Sequence, residues 1–291
     1  MAVTRIEKAV RSLSPRRRRW NRFLSGLNLD PEALPKPVEA PSELDFIICG
    51  ASRTGTSLLC AVLFQPPGVV TVMEPWDGMR LPPAELFRSL REEIDKTGRL
   101  SRGRLNVEAL LAGGHVQWGR DGAYPSEVAV NPNYLMGIKW PAFWRYLDLL
   151  PNTKFIVCVR HPVEVINSFR KTGGRLAEGL DYDIPFNQRM NQELRRAEQD
   201  PTLRRILLYE YVNSRLLPHL TKPNVFVVRY ERWFKAPSAL LEELGGFLGV
   251  DVGSPRTRIR QPSSSSTASD DQIALIRRRC PSAVALGYEL P

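Results

Sequence analysis

Three histidines and four cysteines are all that this chain of 291 residues offers toward a metal centre or a disulfide framework. Cys49, Cys60, Cys158 and Cys280 stand far apart, form no CxxC pair, and three of them lie inside apolar runs where a thiol simply fills space. A zinc site and a disulfide scaffold are therefore excluded as organising features. No stretch approaches the ~18 consecutive apolar residues of a membrane span, and no internal repeat is present. Low complexity is confined to RQPSSSSTAS at 260–269, which reads as a loop ahead of a short helix ending near Arg279. What the chain does have is 43% hydrophobic and 25% charged residues, enough to build a sizeable core in one large domain or two small ones.

Acidic residues are scarce at one end. The net charge is +10, yet residues 1–22 hold eight basic groups against Glu7 alone, which leaves +3 for everything that follows. The basic balance therefore belongs to an N-terminal arm, and no specific nucleic-acid partner is read from it. Ile6, Val10 and Leu13 fall near helical spacing, Arg16 to Arg19 follow, and then come Trp20, Phe23 and Leu24. This basic amphipathic segment suits docking on an anionic membrane, a carrier protein or a polyanion, and equally a solubilising tail. Its Arg-rich, acid-poor character is shared with organellar transit peptides, but it lacks the apolar core of a secretory signal. Pro31, Pro35, Pro37 and Pro41 make the next stretch a semi-rigid linker. Residues 1–43 are thus expected to form arm and linker, and residues 44–291 the folded domain.

Within that domain, short continuous apolar runs alternate with longer mixed segments, the pattern of buried parallel strands joined by helices. Strands are predicted at 44–49, 69–73, 134–139, 154–159 and 224–228. Helices are predicted at 57–64, 84–96, 141–150, 163–171, 203–217 and 238–248. The expected fold class is α/β, a single P-loop-type domain with a central parallel sheet flanked by helices.

Two anion-binding constellations follow from residue type and spacing. Directly after the first strand stands Gly50-Ala51-Ser52-Arg53-Thr54-Gly55-Thr56-Ser57, and an apolar helix follows. Glycines let consecutive N–H groups converge on one point, and the helix start adds its positive dipole end. Compared with GxxxxGK[ST], the glycine spacing is kept but Thr56 occupies the lysine position, and the basic group has moved to Arg53. No apolar strand ends in an aspartate suited to magnesium, so nucleoside triphosphate hydrolysis loses both charge-neutralising parts. The second constellation lies in KFIVCVRHPVEVINSF, where a strand ends at Arg160, Pro162 opens a helix, and Ser168 lies eight residues after the arginine.

Taken together, these motifs resemble the sulfotransferase family, enzymes that move a sulfuryl group from 3′-phosphoadenosine 5′-phosphosulfate (PAPS) to an acceptor and release PAP. Arg53-Thr54-Gly55-Thr56-Ser57 is similar to the family's 5′-phosphosulfate loop, with Thr54 where serine is usual. Arg160, Pro162 and Ser168 are similar to its 3′-phosphate motif, with His161 where Asn or Asp is usual. VVRYERWFKAPSALLEELGGFLGV at 227–250 resembles the family's late strand and helix, with Glu231 expected as a structural hydrogen-bonding residue.

The resemblance implies donor-binding roles for Arg53, Thr54, Gly55, Thr56, Ser57, Arg160 and Ser168, with no metal. It also implies Glu74, at the end of the second strand, as general base for the acceptor hydroxyl, and Lys139 as a stabiliser of charge on the sulfuryl oxygens. His115, in a Gly-rich loop, is the rival base. Two alternatives stay open: a divergent P-loop kinase, and an inactive scaffold that binds anionic partners through its arm. The acceptor is expected to be a small molecule, glycolipid or carbohydrate, met by aromatics of segments 76–133 and 173–200 (Trp76, Trp118, Tyr124, Tyr182, Phe186). With no signal anchor read from the sequence, a bacterial-type enzyme of the cytoplasm, with peripheral membrane contact through its arm, is expected.

Overall fold

In the computed structural model, which describes residues 38–255, 257, 259 and 268–290, the five apolar runs become five parallel strands within one residue of their expected ends. They are β1 (Asp45–Gly50), β2 (Val69–Met73), β3 (Leu135–Lys139), β4 (Lys154–Val159) and β5 (Val225–Arg229). The order across the sheet is β2-β3-β1-β4-β5. Ile47 lies opposite Ile138, Ile48 opposite Ile156 and Val157 opposite Val227. Every residue of β1, β2 and β3 is buried, because helices cover both faces of the sheet. The basic arm, its linker as far as residue 37 and residues 260–267 lie outside the described residues. Among the described residues no helix is long and apolar enough to cross a membrane.

The α-helices of seven residues or more among the described residues are α1 (Thr56–Val62), α2 (Pro83–Thr97), α3 (Pro162–Thr172), α4 (Gln188–Ala197), α5 (Pro201–Leu216), α6 (Pro237–Leu248) and α7 (Asp270–Arg279). Proline stands at the first helical position of α2, α3, α5 and α6, where its missing N–H costs nothing. In α3, Glu164 lies in the first turn and Arg170 and Lys171 in the last, both in accord with the helix dipole.

The helix expected at 141–150 is a shorter 3₁₀ helix, Pro141–Tyr146. Trp140, Phe143 and Tyr146 recur every third residue, and a three-residue turn brings them to one side, Trp140 stacked on Phe143 with centroids 6.0 Å apart and Tyr146 edge-on to Phe143 at 5.2 Å. Phe186, expected to meet the acceptor, instead closes this cluster at 6.1 Å from Phe143 and is 2% exposed. Burial of its whole ring outweighs a surface role. Segment 76–133 is not simply loop. It contains α2 and a two-stranded antiparallel pair, Arg99–Leu100 with Ser126–Glu127.

The chain leaves β1 for one side of the sheet and returns to the other, so the C-terminal ends of the strands around β1 frame a crevice where α/β sheets bind ligands.

Candidate active site

Loop 50–55 is shaped by its two glycines. Gly50 (φ 141°) and Gly55 (φ 98°) occupy backbone conformations closed to other residues, and a Cβ would strike the Cys158 carbonyl at the first and the Tyr230 ring at the second. Arg53 is left-handed as well (φ 71°). The Thr54 hydroxyl turns inward and donates to the Ala51 carbonyl at 2.7 Å, so its side chain staples the loop and is not part of the cleft wall. Arg53, Gly55, Thr56 and Ser57 do line the cleft.

At the end of β4, Arg160 lies over the Tyr230 ring with 4.2 Å to its centroid, pairs with Glu164 at 3.2 Å and donates to the Arg53 carbonyl at 3.3 Å. Its Nε is buried and, among the described residues, has no hydrogen-bond partner. Ser168, one face of α3 away, accepts from Arg53 Nε at 3.0 Å. The two constellations, far apart in sequence, therefore form one basic surface. Glu231 accepts the His161 N–H at 2.7 Å and the Tyr288 hydroxyl at 3.4 Å, and so fixes the turn that carries Arg160.

Glu74 is the second non-glycine residue at positive φ (46°) among the described residues, and such a backbone costs about 1–2 kcal/mol. The surroundings over-determine it: Glu74 N–H donates to the Lys139 carbonyl at 2.8 Å, Arg104 N–H to the Met73 carbonyl at 2.9 Å, and Trp140 Nε1 to the Pro75 carbonyl at 3.0 Å. Its carboxylate is gripped from both sides. Oε1 accepts from Lys139 Nζ in a very short contact, and Oε2 accepts from Arg104 at 2.5 Å. Burial pushes the Glu74 carboxyl upward, but the charges of Lys139 and Arg104 outweigh it and hold the group below the ordinary glutamate range. Lys139, itself only 3% exposed, points the same way from the end of β3.

Two cavities meet at this carboxylate. One, about 270 Å³, is walled by the 50–57 loop, Arg160, Tyr230 and Lys139. The other, about 260 Å³, is walled by Trp76, Met79, Trp140, Ile184 and Asp181. Glu74, Arg104, Ser52, Pro141 and Tyr182 border both. The Asp181 carboxyl, pushed up by burial, accepts from the Ser52 hydroxyl and the Tyr182 N–H at 2.8 Å, which ties the anion loop to the second cavity. Trp76, Trp118 and Tyr182 are exposed along this cleft. His115 borders neither cavity.

Arg104 carries no motif in the sequence, and Tyr230, though part of the Tyr-Glu pair, is not marked there as a site residue. Arg104 is delivered by Gly103, whose left-handed backbone (φ 96°) lies where a Cβ would press on Val72, and its Nε is anchored to the Gly119 carbonyl at 2.8 Å. Tyr230 is adjacent to Glu231 in the late-strand segment, and only its packing against Gly55 and Arg160 reveals it as a wall of the cleft.

The sequence model described as the sulfotransferase family matches residues 45–254. Among solved structures, a sulfotransferase from Alicyclobacillus acidocaldarius is 19% identical, with a TM-score of 0.44, covering 86% of this chain and 96% of its own. The sulfotransferase domain from the curacin biosynthetic pathway is 17% identical, with a TM-score of 0.47, covering 87% of this chain and 100% of its own. The sulfotransferase domain from the Synechococcus PCC 7002 olefin synthase is 17% identical, with a TM-score of 0.42, covering 87% and 97%. A search of the curated proteins returned no match. Because the family match runs from the first residue of β1 past the end of α6, taking in the whole sheet and both anion constellations, the chain belongs to the sulfotransferase family.

Proposed function

We propose that the protein transfers the sulfuryl group of PAPS to a hydroxyl of a small-molecule, glycolipid or carbohydrate acceptor, with Glu74 as general base. The observation that carries this reading is the position of Glu74: a partly buried carboxylate at the junction of a cationic cavity and an aromatic one. A donor anionic at both ends fits the residues present. The glycine-built loop with Arg53, Thr56 and Ser57 suits the 5′ end, and Arg160, whose buried Nε has no partner among the described residues, suits the 3′ phosphate together with Ser168. When bound, PAPS supplies the sulfuryl group and a 5′-phosphate leaving group. The loop amides and Arg53 hold fixed donors toward the charge that grows on the leaving oxygen.

Glu74 is held ionised by its two cations and is therefore ready to accept a proton. Withdrawal of Lys139 from Oε1 raises the basicity of that oxygen and frees the ammonium to balance negative charge at the reacting centre. Arg104 keeps Oε2 and fixes the carboxylate plane. Trp76, Trp140 and Tyr182 offer ring faces to the acceptor, which suits a ring or a lipid-linked sugar. The basic arm is proposed to add peripheral contact with anionic partners, and the location is proposed as cytoplasmic.

Thermal shift with PAP and with ATP, each with and without magnesium, tests the reading. Stabilisation by PAP that is independent of magnesium is expected. Stabilisation by ATP with magnesium and none by PAP would favour a divergent kinase. A mass-spectrometric screen for products heavier by one sulfuryl group then identifies the acceptor.

A further inference from the structure

A third cavity, about 290 Å³, lies between α3, α5 and α7 and shares no wall residue with the catalytic cleft. Its walls include Asn167 and Arg170 of α3, Thr202 and Arg205 of α5, and Asp271 and Gln272 of α7. Two donors there are stranded. Asn167 Nδ2 and Arg205 Nε are buried and, among the described residues, have no hydrogen-bond partner. Asn167 is 4% exposed and Arg205 9%. Each is held in place by its other atoms: Asn167 Oδ1 accepts from Gln272 at 3.4 Å, and Arg205 donates to the Ala177 carbonyl at 2.5 Å and the Thr202 hydroxyl at 3.0 Å. A buried donor left unmatched bears its full desolvation penalty, and a charged one bears more.

The local charge points the same way. Burial first, then the neighbouring Arg170 and Arg204, disfavours the charge on Arg205, and Asp200 opposes them. Asp271 is the carboxylate on the cavity wall, and it sits in the first turn of α7, where the helix dipole already favours it. Two guanidinium groups and an amide donor around one void are complementary to a compact anion, with Asp271 the one opposing charge on its wall.

We propose that this cavity is a second anion site, distinct from the donor cleft, that takes a tetrahedral oxyanion, either inorganic phosphate or a phosphate monoester, on the side chains of Arg205, Asn167 and Arg170. An anion there bridges α3 and α5. Because α3 also carries Ser168, occupancy braces the helix that serves the donor site.

The test is calorimetric titration of the full chain at constant ionic strength with inorganic phosphate and, separately, glycerol 3-phosphate. Saturable binding is expected in the wild type. Arg170→Gln, at an exposed position, should weaken it roughly tenfold. Asn167→Asp should abolish it and raise the melting temperature in phosphate-free buffer, since the new carboxylate meets Arg205 in place of the ligand. Tighter binding of the monoester upholds the site and assigns it to a phosphorylated molecule, and equal binding upholds it for the free ion. No saturable binding by the wild type, or binding that both variants leave unchanged, would overturn the proposal. The second result would place the anion in the donor cleft instead.

Discussion

Arg53 donates from Nε to Ser168 Oγ at 3.0 Å across 115 residues of sequence, and so one guanidinium joins the loop after β1 to the helix after β4. The two ends of the proposed donor site are therefore coupled through protein atoms. Ser168→Ala should weaken PAP about tenfold, by loss of its own contact and of Arg53 placement. In a double-mutant cycle, Arg53→Ala and Ser168→Ala should cost less together than the sum of their separate effects. Adenosine 5′-phosphosulfate, which lacks the 3′ phosphate, provides the control. If its affinity relative to PAPS is the same in Ser168→Ala and the wild type, Ser168 does not read the 3′ phosphate.

The lowered Glu74 pKa has a definite pH consequence. The ion pair contributes stability above the ordinary glutamate range, and that contribution disappears as pH falls through the lowered value in the folded protein. The acid limb of kcat/KM should accordingly lie below the ordinary range. In Lys139→Met, burial of the carboxyl is opposed by Arg104 alone, and the limb should move upward along with a slower rate. A limb that stays in place would show that Lys139 does not set the charge of Glu74.

Arg91 of α2 holds the start of β1 by donating to Asp45 at 2.6 and 2.9 Å and to the Leu44 and Tyr134 carbonyls. The Asp45 side chain is 2% exposed, so Arg91→Ala leaves a buried carboxylate without its counter-charge and should cost about 3–5 kcal/mol, a drop of roughly 10 °C in melting temperature. Adding Asp45→Asn to Arg91→Ala should recover part of the loss, because the stranded charge is gone. Calorimetric melts of the single and double variants provide the check.

Removal of residues 1–30 should leave PAP affinity and melting temperature unchanged, because among the described residues those that wall the cleft begin at Ser52. Binding to anionic vesicles should fall. A large loss of thermal stability would show that the arm packs on the domain.

The strands were legible because strands buried on both faces are continuous apolar runs, and the loop after β1 because glycine spacing records a backbone that other residues rarely adopt. Arg160, Pro162 and Ser168 were legible for the same kind of reason, a strand end and a helix start at fixed separation. Arg104 was not, since its approach to Glu74 depends on how Gly103 passes over Val72, a tertiary fact with no local pattern. Phe186 misled because its neighbours are polar or turn-forming, whereas its ring inserts among Phe143 and Tyr146. The grip of Lys139 on Glu74 joins the ends of separate strands, and no spacing rule reaches across that distance.

The central claim is that Glu74 takes the acceptor's proton, and Glu74→Gln tests it most directly through turnover and PAP affinity measured side by side. The isosteric amide keeps the size of the side chain and one acceptor oxygen. Turnover should fall by about two orders of magnitude or more, while PAP affinity stays near that of the wild type. Near-normal turnover in Glu74→Gln together with an inactive His115→Ala would contradict the account and move the base to the Gly-rich loop.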